Sequence, residues 1–204
     1  VGSEMCIRDR VGLLGKDSDG NLIYRKGMEL GEIWGYTTDR LYTTEDFDSQ
    51  GKLKNNIPKM EGYNPNPGDI LYMDFDGNGI INNGKNTSNE PGDTHIIGND
   101  TRRYQYGIRG GAAWKGISLS FILQGVGKRD LWLMNELFYP HYDAYSTLFD
   151  SQLNYWTPEH TNSYFPRLYE KAEGNTKANQ KTQTRFLQNG AYLSIRLSLI
   201  HISE

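Results

Sequence analysis

The sequence predicts an all-β chain whose antiparallel strands suit the wall of an outer-membrane barrel, with long loops on the extracellular side. Three observations predict it. Apolar residues alternate with small or polar ones over two stretches, a two-residue turn joins those stretches, and the connections at the opposite end are very long. Period-two alternation on both arms of a tight turn is the signature of a hairpin.

The first arm is YQYGIRGGAAW, beginning at Tyr104. Tyr104, Tyr106, Ile108, Gly110, Ala112 and Trp114 fall on one face, and Gln105, Gly107, Arg109, Gly111 and Ala113 on the other. Lys115-Gly116 is the turn, and Ile117, Leu119, Phe121 and Leu123 continue the apolar face, opposite Ser118, Ser120, Ile122 and Gln124. The hairpin is assigned to 103–126. A further strand is expected over Arg185–Arg196, RFLQNGAYLSIR, with Leu187, Leu193 and Ile195 opposite Gln188, Tyr192 and Ser194. Alternation alone fits the inner face of a soluble β-sandwich equally well. The connections separate the two: residues 11–102 and 127–184 form long loops at one end, and Lys115-Gly116 closes the other. Outer-membrane barrels have short periplasmic turns and long extracellular loops, with aromatic residues such as Trp114 at the interfaces.

Bulk composition agrees. A net charge of -3, with 22 basic and 25 acidic residues, gives no footprint for nucleic acid. No apolar run approaches the roughly 20 residues of a membrane-spanning helix, whereas a barrel strand needs only about 9–11. The single cysteine, Cys6, excludes a disulfide framework and a cysteine-based zinc site. The opening stretch has neither the basic start nor the apolar core of a signal peptide.

Both ends carry a specific resemblance. VGSEMCIRDR at 1–10 and LSLIHISE at 197–204 resemble translated sequencing-adaptor read-through, and are expected to be artefacts flanking an interrupted reading frame.

Four internal segments resemble the C-terminal portion of SusC/RagA-type TonB-dependent receptors, in order and spacing, across 11–196. They are KGMELGEIWGYTTDRLY (Lys26–Tyr42), PGDILYMDFDGNGIIN (Pro67–Asn82) followed by DTHIIGN (Asp93–Asn99), the hairpin through Asp130, and YWTPEHTNSYFPRL (Tyr155–Leu168) followed by FLQNGAYLSIR (Phe186–Arg196). Glu29 and Arg40 replace the family's usual Pro and Gly. The resemblance implies a barrel of about 22 strands closed by a plug. It also implies energy from TonB through parts not in this chain, a SusD-like surface lipoprotein as lid, outer-membrane lipid around the wall, and import of oligosaccharides or peptides. Three strands cannot close a barrel, so long unpaired edges are expected.

One constellation carries ligand chemistry. Asp74-Phe75-Asp76-Gly77-Asn78-Gly79-Ile80-Ile81-Asn82 fits the first nine positions of a calcium loop. Asp74, Asp76, Asn78, the Ile80 carbonyl and Asn82 offer oxygens at alternate positions, directly or through water; Gly79 supplies the turn and Ile81 the anchor. The closing carboxylate is replaced by Lys85. The family resemblance implies that Asp93 closes the site instead, with 84–92 looping out; Glu90 is a second candidate. The expected role is a structural Ca2+ clip, against an acidic turn held by side-chain hydrogen bonds alone. Asp17-Ser18-Asp19-Gly20-Asn21 is a fainter echo, expected to be a plain turn.

The 131–165 stretch is rich in aromatic rings, expected mainly to pack, with Trp132, Tyr139 and Tyr142 as the candidates for substrate or partner contact. Trp156-Thr157-Pro158-Glu159 reads as a helix start or turn. His95, His141 and His160 lack metalloenzyme spacing, and no nucleophile elbow or phosphate loop occurs, so no enzyme is expected. The expected role is part of an outer-membrane transporter. The alternatives are a soluble carbohydrate-binding β-sandwich with structural calcium and, behind it, a glycan-degrading domain.

Overall fold

The computed structural model describes residues 28–87, 89–142, 146–169 and 174–202, the last stretch without side chains beyond Ile195. The adaptor-like 1–10, the Asp17–Asn21 echo and Lys26-Gly27 of the first resembling segment lie outside the described residues. So do the side chains of 196–202.

The hairpin forms as the alternation predicts. Strands β7 (Arg103–Trp114) and β8 (Ile117–Lys128) pair antiparallel, with Tyr106 opposite Gly125, Ile108 opposite Leu123, Ala112 opposite Leu119 and Trp114 opposite Ile117. The other face pairs Gly107 with Gln124, Gly111 with Ser120 and Ala113 with Ser118. Lys115 (φ 44°) and Gly116 (φ 83°) both take the left-handed conformation of a two-residue hairpin turn, whose twist matches that of the strands. Two rings lie over glycines on the apolar face. Tyr106 covers Gly125, where a Cβ would come within 2.5 Å of the ring, and Phe121 covers Gly110. Such pairs restore packing where a strand glycine offers none.

A third strand, β11 (Tyr192–Ile202), pairs antiparallel with the far side of β8, giving the order β11-β8-β7. Leu193 and Ile195 join the apolar face opposite Gly125 and Leu123, and the register shifts between Ile195 and Leu197. The single strand expected over 185–196 is corrected here. Thr184–Phe186 is a 3-10 turn, and Leu187–Asn189 is a separate strand, β10, paired with β9 (Asp130–Trp132). The 3-10 turn takes Phe186 out of the strand and into the core, where it is fully buried. Among the described residues the sheet does not close into a barrel, and the outer edges of β7 and β11 have no strand partner.

The long connections are also more ordered than loops. Residues 28–102 contain β1 (Glu32–Tyr36), β2 (Thr38–Leu41), β3 (Lys59–Met60), β4 (Ile70–Tyr72), β5 (Ile80–Ile81) and β6 (Thr94–Asn99). They pair as β1-β6, β2-β4 and a short parallel β3-β5. Their core of Tyr36, Tyr42, Ile70, Tyr72 and Ile81 merges with Tyr139, Phe165 and Phe186 from the second connection. Phe186 is the hub: Phe138, Tyr139, Tyr164 and Phe165 approach its ring at centroid distances of 5.9, 5.5, 5.7 and 5.9 Å. Aromatic clusters of this kind bury large apolar area in preferred edge and offset geometries. Gly68 (φ 92°) lets the Trp156 ring press on bare backbone, where a Cβ would collide. The Trp156–Glu159 signal is a turn: Thr157 and His160 bond to each other through their backbones.

Candidate metal centre

The acidic glycine loop runs from the end of β4 through β5. The parallel pairing of β5 with β3 sets its base: Lys59 N–H donates to the Gly79 carbonyl at 3.3 Å, and Glu61 N–H to the Ile81 carbonyl at 3.0 Å. Alternation along that ladder turns the Ile80 carbonyl to the opposite side. Ile81 is fully buried and anchors the loop, and Gly77 (φ 71°) and Gly79 (φ 80°) supply the tight turns.

Each carboxylate is oriented by two N–H donors. Asp74 accepts from Gly77 (2.8 Å) and Gly79 (2.7 Å), and Asp76 from the backbone (3.0 Å) and side-chain amide (2.7 Å) of Asn78. Asp93 accepts from Phe75 (2.8 Å) and Asn82 (2.9 Å). A carboxylate has about four lone-pair sites, so each keeps acceptor capacity. Burial pushes the Asp74 carboxyl up, but the Gly79 and Gly77 amides prevail and hold it below its ordinary value.

The structure brings Asp93 back to the loop. One oxygen each of Asp74, Asp76 and Asp93 lie within 4.8 Å of one another. Oxygens around a calcium ion at about 2.4 Å are at most about 4.8 Å apart, so the carboxylates fit a hard divalent cation. The 84–92 excursion is pinched at its neck: Asp93 N–H donates to the Asn82 carbonyl at 2.9 Å, and the Gly84 and Gly92 backbones touch. Lys85, at the position of the missing carboxylate, turns away to pair with Glu90 at 2.6 Å, so Glu90 is engaged elsewhere. Asn78 Oδ1 and Asn82 Oδ1 already accept from Ile80 N (2.6 Å) and Gly84 N (2.8 Å), leaving each its second lone pair or a bridging water.

The aromatic candidates divide. Tyr139 is 2% exposed and packs edge-on against Phe165 and Phe186, so it belongs to the core and offers no contact surface. Trp132 and Tyr142 are half-buried on the same core.

A buried polar node escaped the sequence reading. The carboxylate of Asp69, 3% exposed, accepts from Asn66 N (2.7 Å), the Tyr169 hydroxyl (2.8 Å), Asn175 Nδ2 (3.0 Å) and Asn179 Nδ2 (2.8 Å). Asn179 Oδ1 in turn accepts from Ile70 N at 2.9 Å. Burial pushes the Asp69 carboxyl up, opposed by the donors from Asn66, Asn179 and Tyr169. Asn66 is a neighbour three positions away, but Tyr169, Asn175 and Asn179 lie 100, 106 and 110 positions off, so no local pattern marks the node.

Comparison with known proteins adds no relative: no family model matches the sequence, and no curated protein matches it.

Proposed function

We propose that this chain is part of an outer-membrane TonB-dependent transporter that imports oligosaccharides or peptides together with a SusD-like lipoprotein, as the resemblance to SusC/RagA-type receptors implies. The observation that carries the reading is the uncovered apolar face of the β11-β8-β7 sheet. Ile108, Trp114, Leu193 and Ile195 are 55, 70, 62 and 69% exposed on it, and no second sheet lies over it among the described residues. A contiguous apolar face of this kind calls for a covering phase. Hydrocarbon supplies it in a barrel wall, whose opposite face is small and polar like that of Gly107, Gly111, Ser118, Ser120 and Gln124. A soluble sandwich would cover the same face with its own second sheet.

The folded connections then form a lobe on the extracellular side, where substrate and the lipoprotein lid arrive. The Asp74–Asp76–Asp93 cluster is read as a Ca2+ clip within that lobe, stiffening the 70–99 segment without taking part in any reaction. Fractionation of cells expressing the uninterrupted gene tests the transporter: extraction only by detergent is expected, and a protein soluble without it refutes the reading. For the clip, Asp74→Ala with Asp76→Ala is expected to abolish calcium-dependent protection of 70–99 from proteolysis. Protection indifferent to calcium in the parent protein removes the metal assignment.

A further inference from the structure

We propose that Asn83 is a site of spontaneous deamidation, selected by the fold from three Asn-Gly steps that local sequence makes equally reactive. The steps are Asn78-Gly79, Asn83-Gly84 and Asn189-Gly190. In each, the backbone nitrogen of the glycine can attack the asparagine Cγ, because glycine presents no Cβ to obstruct the approach. A bond forms between that nitrogen and Cγ, the asparagine Cγ–Nδ2 bond breaks, and ammonia leaves. Water then opens the resulting succinimide at either carbonyl, giving aspartate or isoaspartate. The attack requires a freely rotating asparagine side chain and a released glycine N–H.

The three steps differ in what must be broken first. At Asn78, Oδ1 accepts from Ile80 N at 2.6 Å, Nδ2 donates to Asp76 at 2.7 Å, and Gly79 N donates to the Asp74 carboxylate at 2.7 Å. At Asn189, Oδ1 accepts from Ala191 N at 2.9 Å and Gly190 N donates to the Arg129 carbonyl at 2.8 Å. The half-exposed Asn83 side chain makes no hydrogen bond among the described residues; only Gly84 N is held, by Asn82 Oδ1 at 2.8 Å. Each neutral hydrogen bond that must open first slows the reaction about fivefold, and a bond to a charged group more. Asn83 therefore reacts about fivefold faster than Asn189 and more than about 25-fold faster than Asn78.

The site is consequential because it lies at the neck of the 84–92 excursion. Isoaspartate reroutes the backbone through the former side chain and lengthens it by one carbon, where the Gly84 and Gly92 backbones already touch. Asp93 is the residue that this neck returns to the carboxylate cluster.

Peptide mapping by mass spectrometry of the full-length protein, aged at mildly alkaline pH in buffer and in parallel in concentrated urea, tests the proposal. In urea the three steps are expected to convert at similar rates. In buffer Asn83 is expected to fall about fivefold below its urea rate, for the one bond at Gly84 N, while Asn189 and then Asn78 fall behind it by the stated factors. Asn83→Gln is expected to abolish the fast conversion and to preserve the protease resistance of 70–99 that aged parent protein loses. Equal protection of all three steps, or faster conversion at Asn78 or Asn189 in buffer, overturns the proposal.

Discussion

Replacing Ile108 by arginine probes which phase meets the apolar face. Ile108 lies midway along the 12-residue strand β7, in register with Leu123 of β8, which is itself opposite Ile195 of β11. It is six residues from Trp114, so about 20 Å along a strand that rises about 3.4 Å per residue. At a tilt of about 45°, that is roughly 14 Å in depth, near the middle of an apolar band about 25 Å tall. An arginine there is expected to cost about 2–4 kcal/mol in a bilayer. Gln124→Arg, on the opposite face beside Gly107, is expected to stay within about 0.5 kcal/mol. Guanidinium unfolding of the protein reconstituted in lipid vesicles reads both, as a shifted midpoint at unchanged slope. If Ile108→Arg is as harmless as Gln124→Arg, the face meets water, and the wall assignment fails.

Three further outcomes are expected. Gly68→Ala forces a Cβ into the Trp156 ring at φ 92°, and should cost about 1–3 kcal/mol in denaturant unfolding followed by tryptophan fluorescence; an unchanged midpoint refutes that contact. Phe186→Ala empties the centre of the ring cluster and should cost about 3–5 kcal/mol, against less than about 0.5 for the exposed Leu137→Ala. The Arg40 guanidinium, 2.5 Å from Asp46, holds that carboxyl below its ordinary value, so the pair's stabilisation is complete above about pH 4 and is lost as pH falls through the lowered value. Asp46→Asn should therefore melt earlier than the parent at pH 7, with the gap closing in acid; a gap constant with pH contradicts the pairing.

The hairpin was readable because its determinants are local: alternation, a Lys-Gly turn, and apolar residues that meet only in one register. The turn at Asp74 is local in the same way, whereas the return of Asp93 is suggested in the sequence only by a resemblance, and in the fold its carboxylate does approach Asp74 and Asp76. The last strand departs from expectation because RFLQNGAYLSIR alternates acceptably throughout, while burial of Phe186 and pairing of Leu187 with Trp132 are decided by distant residues. The long connections read as loops because their strands are two to six residues long and their core is mostly tyrosine and phenylalanine. The rings are plain in the sequence, but sequence alone does not say that Tyr139 faces inward. Asp69 stayed hidden because Asn66, Tyr169, Asn175 and Asn179 acquire meaning only once they converge.

That convergence has a bearing on how the protein matures. Asp69 and Asn179 are 110 positions apart, and Asn66 and Tyr169 are 103 apart, with the β7–β8 hairpin between them. Bonds of such long range are slow to find one another, whereas a hairpin closed by a two-residue turn zips early. The hairpin also delivers Asp130 to the end of β6, where it accepts from Asn99 N at 3.0 Å, so that the two connections emerge side by side. Assembly should then proceed outward from the hairpin, with the Asp69 node sealed last. A lesion in β7 or β8 would delay ripening of the entire lobe without altering any of its final contacts.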